Sequence, residues 1–167
     1  MFTIIQTKIY TLLLSVLAVD KEYILPVNSN RSEPESGLFF VYDINPQPIG
    51  EPSKSDPDDT GATTMYQLYR VELTLNAYRD GARDAIYNFI NNLKTETNKT
   101  LLRSLAISEN GKAAFLNLSF LEDTNYKERE QIVMSFNIVA EKTDNVGYIE
   151  NINLDLTAGV FDVPIEA

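Results

Sequence analysis

The stretch that decides the fold is YQLYRVELTLNAYRDGARDAIYNFINNL, residues 66–93. Its first part alternates in polarity, and a period of two predicts a strand with one packed face and one solvated face. The packed row consists of Tyr69, Val71, Leu73, Leu75 and Ala77. Its second part repeats apolar residues at helical spacing after Asp80, a residue type that favours helix N-caps. A strand that runs directly into an amphipathic helix is therefore predicted.

The elements on either side follow from the same two periods. At the amino terminus Ile5, Ile9, Leu12, Leu13, Val16 and Leu17 recur at helical spacing, opposite a stripe formed by Thr3, Thr7, Thr11 and Ser15. This predicts a packed amphipathic helix, because the core of a secretory signal has no reason to keep a polar stripe. The apolar run is also too short to span a bilayer, so no membrane association is expected.

The remaining strands are short alternating runs bounded by turn residues. They are predicted at Leu38–Ile44, Lys112–Glu122, Gln131–Glu141 and Tyr148–Leu156. Leu101–Ile107 is predicted as a short helical or extended segment, and Glu109-Asn110-Gly111 as a turn.

These elements predict an α+β fold in one domain, residues 1–167. An antiparallel sheet of about four to five strands would have two helices packed on one face, in a two-layer sandwich. The uncovered face would carry Tyr66, Leu68, Phe115 and Val139. That is more apolar surface than water readily tolerates, which indicates burial against another subunit.

Residues 47–64 differ from the rest in composition, with three prolines, two glycines and the acidic residues Glu51, Asp56, Asp58 and Asp59. Such a segment cannot bury apolar surface. We expect a flexible acidic hairpin arm, not a linker between domains.

The amino-acid composition excludes most of the common catalytic mechanisms. The 167 residues include no Cys and no His, which excludes thiol nucleophiles, imidazole bases and the usual zinc ligands. The acidic run at Asp56 lacks the spacing and the downstream Glu of a calcium loop, and no phosphate-cradling glycine loop is present. We expect no catalytic residue, metal or cofactor. A small hydrolase that uses two carboxylates stays open as an alternative.

Charge and aromatic content point to protein contacts. The 24 acidic and 14 basic residues give a net charge of -10, which opposes binding to the phosphates of nucleic acid. Tyrosine is favoured at protein interfaces. Exposed charges beside strands and turns are usually solvated surface groups, and an ion pair between subunits is the functional alternative for them. The candidate interface residues are Tyr42, Tyr66, Arg70, Arg79, Arg83, Tyr87, Glu128, Arg129, Asp56, Asp58 and Asp59.

Four segments resemble the tail- and neck-terminator proteins of tailed bacteriophages. They are the strand at 38–42, the strand and helix at 69–85, the run 126–129 before the strand at 132–139, and the segment 147–152. The resemblance extends over about residues 1–156 and implies no catalytic residues.

The resemblance also implies a place in the virion. It implies a hexameric ring that caps the tail tube, ends tube polymerisation and lets genomic DNA pass without sequence-specific binding. The expected partners are other copies of the chain, the tail-tube protein and a head-completion protein, with the sheath as a further candidate. The protein would be assembled in the host cytoplasm and reside at the neck. The rival interpretation is a tail-tube or other tail protein that polymerises.

Overall fold

The computed structural model describes residues 1–58, 61–122 and 125–145. The helices of these residues are α1 (Phe2–Leu17), α2 (Ala82–Leu93) and α3 (Glu96–Ser104), with a 3₁₀ turn at Lys21–Tyr23. The strands are β1 (Ile24–Pro26), β2 (Phe39–Lys54), β3 (Ala62–Tyr78), β4 (Ile107–Asn117), β5 (Phe120–Glu122), β6 (Asn125–Lys127) and β7 (Arg129–Asn145). The main sheet has the order β1-β2-β3-β7-β4, and β5 and β6 form a separate hairpin.

The predicted α+β class is confirmed, but the sheet is mixed and not purely antiparallel. β1 pairs in parallel with Phe40–Tyr42 of β2, whereas the other pairings of the main sheet are antiparallel. The reason is the length of the connection between β1 and β2. Strands joined by tight turns must be antiparallel, while the longer loop at 27–38 lets the chain return in the same direction.

The helices form one layer on one face of the sheet. α1 and α2 contact each other and both pack on the sheet, and α3 joins them beside β4. The predicted apolar rows of α1, β3 and β7 all enter one core, in which Ile9, Leu73 and Phe136 are fully buried. Three helices are present among the described residues where two were predicted. The third is α3, which Thr95 caps by accepting a hydrogen bond from the Asn98 N–H.

The central strands are longer than the helices that cover them. β3 and β7 pair continuously from Ala62–Asn145 to Tyr78–Arg129. A strand of 17 residues spans about 56 Å, whereas the 12 residues of α2 span about 18 Å. The helices therefore cover only part of the sheet. We term the part that lies under the helices the covered half. The remainder, residues 50–58, 61–66 and 141–145, forms a three-stranded extension that we term the distal arm.

Several predicted boundaries were wrong. The strand predicted at Leu38–Ile44 continues to Lys54 as one side of the hairpin with β3. Glu109-Asn110-Gly111 is not a turn between elements but part of β4, where a bulge between Asn110 and Ala114 absorbs the positive φ of Gly111. The strand predicted at Tyr148–Leu156 lies outside the described residues.

Candidate assembly surfaces

An apolar strip runs along the C-terminal half of β4, at the edge of the main sheet. Its side chains are Tyr87, Phe115, Leu116, Leu118 and Phe120, which are 37% to 51% exposed. Successive side chains of a strand point to opposite faces, so Phe115 and Leu116 lie on the two sides of this edge. Tyr87 of α2 stacks on Phe115 with ring centroids 5.3 Å apart. We term these five residues the β4 strip. Exposed apolar groups collected in one place mark interaction sites more often than isolated ones do.

Phe115 lies on the helix side of the sheet, so its predicted place on the uncovered face was wrong. It pairs with Ile132, which is fully buried under the helices, and side chains of directly paired residues share one face. Ile107 pairs with buried Ile138 on the same side, so the two-residue shift at the β4 bulge leaves odd-numbered residues facing the helices. The predicted exposure of Tyr66 and Leu68 on the uncovered face is confirmed, at 39% and 38%.

Arg79 and Arg129 enclose an aromatic stack on the uncovered face. The rings of Phe39 and Tyr78 lie parallel with centroids 4.9 Å apart. The Arg79 guanidinium lies 4.8 Å from the Phe39 centroid, and the Arg129 guanidinium lies 5.0 Å from the Tyr78 centroid. Cations over aromatic faces are attracted by the ring quadrupole. These two candidate interface arginines therefore stabilise their own subunit.

The same two arginines also donate hydrogen bonds within the chain. Arg79 donates to the carbonyl oxygens of Pro34 and Gly37, at 2.6 and 2.9 Å, and so holds the loop before β2. Arg129 donates to Asn76 Oδ1 at 3.2 Å. The sequence signal for this arrangement was the pair of aromatic residues that the hairpin register places opposite each other at the end of β2 and β3.

Glu128 caps the N-terminus of α2, which corrects the predicted role of Asp80. Its carboxylate accepts hydrogen bonds from the backbone N–H groups of Gly81 and Arg83, at 2.7 and 3.1 Å. Gly81 is the N-cap residue, and its side chain offers no acceptor. A carboxylate at this end also interacts favourably with the helix dipole. Asp80 and the side chain of Arg83 are left exposed to solvent.

Tyr42 is the candidate interface residue whose predicted outward position was wrong. Its side chain is 3% exposed, belongs to the core cluster and stacks on Tyr10 with centroids 6.3 Å apart. Burial disfavours the charged phenolate and raises the pKa of Tyr42 above 10.0. The alternation in β2 shows two faces, and the sequence did not show which of them lies under α1.

The acidic candidates lie at the tip of the distal arm. Asp56 and Asp58 are exposed in the connection between β2 and β3, and Asp58 Oδ1 accepts a hydrogen bond from the Ala62 N–H at 2.9 Å. Asp59 lies outside the described residues. Arg70 is exposed on the uncovered face, where it pairs across the strands with Asn137 and with Gln47.

The surface near the stack contains one cleft with charged walls. It has a volume of about 640 Å³ and lies between the aromatic stack, Phe120 and Glu128. Across the described ranges, no group of three or more His, Cys, Asp or Glu side chains is arranged to hold a metal ion. The helices found in those ranges are too short or too polar to cross a membrane. The arrangement offers apolar and charged contact surfaces.

A protein-family model described as phage neck terminator protein matches residues 3–161 of the chain. The chain belongs to this family. The resemblance stated from the four sequence segments is therefore confirmed. No curated protein matches the chain significantly. A neck terminator is a structural component of the phage tail neck, and the family is not one of enzymes.

Proposed function

We propose that this neck terminator forms a closed hexameric ring that caps the tail tube and ends its polymerisation. The ring joins the tube to the head-completion protein of the neck and leaves a central channel for the genome. Its partners are other copies of the chain, the tail-tube protein, the head-completion protein and, in a contractile tail, the sheath. The assembly takes place in the host cytoplasm.

The β4 strip is the observation that carries the proposal. Five apolar side chains, each more than a third exposed, lie on or beside the β4 edge strand, and two of them, Tyr87 and Phe115, stack on its helix side. A protein that acted alone would lose little stability if polar residues replaced these apolar side chains. An assembly subunit, in contrast, buries such apolar side chains in its interfaces. Tyr87 and Phe115 are the aromatic pair of this surface, and residues of this type dominate binding energies at interfaces.

Charged residues contribute specificity to the proposed contacts. Arg70 and Arg83 are exposed, and Asp56 and Asp58 project from the arm tip. We place Tyr66, Asp59 and these four side chains at contacts between neighbouring subunits or with the tube. Glu128, Arg79 and Arg129 orient α2 and the loop before β2, and they contribute to the same contacts from that position.

The net charge of -10 suits a channel through which DNA passes. A basic lining would hold the phosphates through counterion release and oppose sliding. The acidic balance favours passage without sequence-specific binding.

The test combines native mass spectrometry with negative-stain imaging of the purified protein, alone and with tail tubes. The expected result is a ring of six copies, or a monomer that forms rings on tube ends. Open tubes of the chain alone would favour a polymerising tail protein. A monomer that ignores tubes would contradict the proposal.

A pair of variants locates the surface. Tyr87→Ser with Phe115→Ser should abolish ring formation and tube capping while the fold persists. The matched control is Phe2→Ser with Val27→Ser, since these side chains are 55% and 48% exposed but lie outside the strip. Equal loss in both variants would show that the strip has no special role.

A further inference from the structure

The two edges of the main sheet expose very different backbone groups. One edge is formed by β1 and by the part of β2 that extends beyond β1, and the other is formed by β4. An edge strand with free N–H and C=O groups is a template on which another strand can add. Which edge keeps its donors therefore decides where the sheet of this chain can grow.

The hydrogen bonds fix which residues of β1 and β2 point outward. The Val27 N–H donates to the Tyr42 carbonyl, so Val27 faces β2 and Tyr42 faces β1. The backbone N–H and C=O groups of successive residues point to opposite sides of a strand. Outward positions on β1 are therefore Ile24 and Pro26, and beyond β1 the outward positions on β2 are Ile44, Pro46 and Pro48.

None of these five outward positions offers a free donor. The Ile24 N–H donates to the Lys21 carbonyl, and the Ile44 N–H donates to Asp43 Oδ1 at 2.9 Å. The other three positions are proline, which has no N–H. Each proline lies at an outward position, where the missing N–H removes no hydrogen bond between neighbouring strands of the sheet. From Ile24 to Pro48 this edge can accept hydrogen bonds but cannot donate them.

The β4 edge is the opposite case. The Val139 N–H donates to the Ala106 carbonyl, and the Leu118 N–H donates to the Arg129 carbonyl, so even-numbered residues face β7 on both sides of the bulge. Ile107, Glu109, Phe115 and Asn117 therefore point their backbone groups away from β7. All four retain an N–H, and within the described ranges no strand lies beyond them. The β4 strip flanks this open edge.

Joining these two edges is the simple way for copies to polymerise. β2, β3, β7 and β4 alternate in direction, so β2 and β4 of one copy run in opposite directions. A second copy in the same orientation would thus bring its β2 edge antiparallel to β4. The sheet would then continue from copy to copy without limit unless the rotation between copies closed a ring.

We propose that the proline-containing edge of β1 and β2 blocks this chain from adding to the β4 edge of a second copy. Of these two edges, as far as the described residues extend, only β4 offers an added strand both donors and acceptors, so copies cannot join these edges into one continuous sheet. Such a limit on self-association is what a protein that ends a polymer requires, and in that respect the inference rests on the proposed function. The proposal about the edges is tested on the purified protein without tubes. It can therefore be contradicted without contradicting the proposed capping of tail tubes.

The test restores the outward donors. Asp43→Ala, Pro46→Thr and Pro48→Thr together free the Ile44 N–H and add two more. We expect the triple variant to form species larger than the wild-type assembly, which grow with concentration in sedimentation velocity and appear as filaments in negative stain. The matched control, Asp56→Ala with Pro57→Thr, makes the same kinds of change at the arm tip and should sediment as wild type. A folded triple variant that sediments as wild type would overturn the proposal.

Two further measurements identify the edges involved. Adding Glu109→Pro to the triple variant removes an outward donor from β4 and should restore the wild-type sedimentation. A synthetic peptide of residues 107–117 in excess should protect amides of residues 43–49 from hydrogen exchange in the triple variant and leave the wild type unchanged. Protection of those amides in the wild type would refute the blocked edge even if the triple variant did not fold.

Discussion

The covered half of the sheet and the distal arm are built from the same strands, yet they are held together differently. In the covered half, Val71, Leu73, Leu75 and Ala77 of β3 are all fully buried. In the arm, residues 62–66 of the same strand include no buried side chain. The difference arises from the helices, which end before the arm begins. Apolar packing stabilises the covered half, whereas hydrogen bonds of the backbone and of exposed polar side chains such as Thr64 and Thr143 hold the arm.

The largest effect that separates the two regions should come from Phe136→Ala. Phe136 is fully buried and pairs with Val71 in the middle of the covered half. Removing a buried phenyl ring costs the transfer free energy and leaves a cavity, about 3–5 kcal/mol in total. Urea unfolding should show this loss, while Tyr66→Ala in the arm should change the unfolding free energy by less than about 0.5 kcal/mol. Similar losses for both variants would remove the distinction between the regions.

A smaller loss should follow from Glu128→Ala, at the end of the sheet farthest from the arm. The substitution leaves the N–H groups of Gly81 and Arg83 without their acceptor, and loss of a helix cap costs about 1–2 kcal/mol. Glu128→Gln keeps an acceptor oxygen and should fall between the wild type and Glu128→Ala. Amide exchange should increase in α2 and stay unchanged in the arm. Faster exchange in the arm would show that the two regions are coupled.

The same contrast explains what the sequence could predict. Alternation in β3 and β7 and helical spacing in α1 and α2 identified the rows that fill the core, because burial imposes a period on the sequence. The alternation between apolar and polar residues stops where the strand is no longer buried under the helices. The continuation of β2 to Lys54 was therefore missed. Asp80 was given the capping role that Glu128 fills, since a cap supplied from a distant strand leaves no local pattern. The outward prolines became meaningful only once the register was known.

An effect confined to the arm should follow from Gln67→Ala. Gln67 lies at the base of the arm, 7% exposed, and its Nε2 donates to the carbonyl oxygens of Ile49 and Leu68 at 3.1 and 3.0 Å. These bonds hold the bulge between Ile49 and Ser53 against β3. Their loss should cost about 1 kcal/mol. Exchange of the amides at 62–66 should speed up, with α2 unaffected. The exposed Gln47→Ala is the control, and an equal response there would assign the effect to the strands in general.

The smallest effect at neutral pH, and a distinct one in alkali, should come from Tyr42→Phe in the covered half. Burial raises the pKa of Tyr42 in the folded chain above 10.0, while the unfolded chain keeps the ordinary value. Below about pH 9 both states hold the phenolic proton, so stability does not depend on this group. As pH rises through 10 the unfolded chain releases its proton first, which favours unfolding. Stability is lost until the folded pKa is passed.

Tyr42→Phe has no proton to release, so its unfolding free energy should fall less steeply than that of the wild type as pH rises above 10. The measurement is a series of urea unfolding curves from pH 7 to 11. Tyr66→Phe in the distal arm is the matched control, because it removes the same hydroxyl from a side chain that is 39% exposed. Parallel pH profiles for the wild type and Tyr42→Phe would mean that the phenol of Tyr42 reaches water in the folded chain.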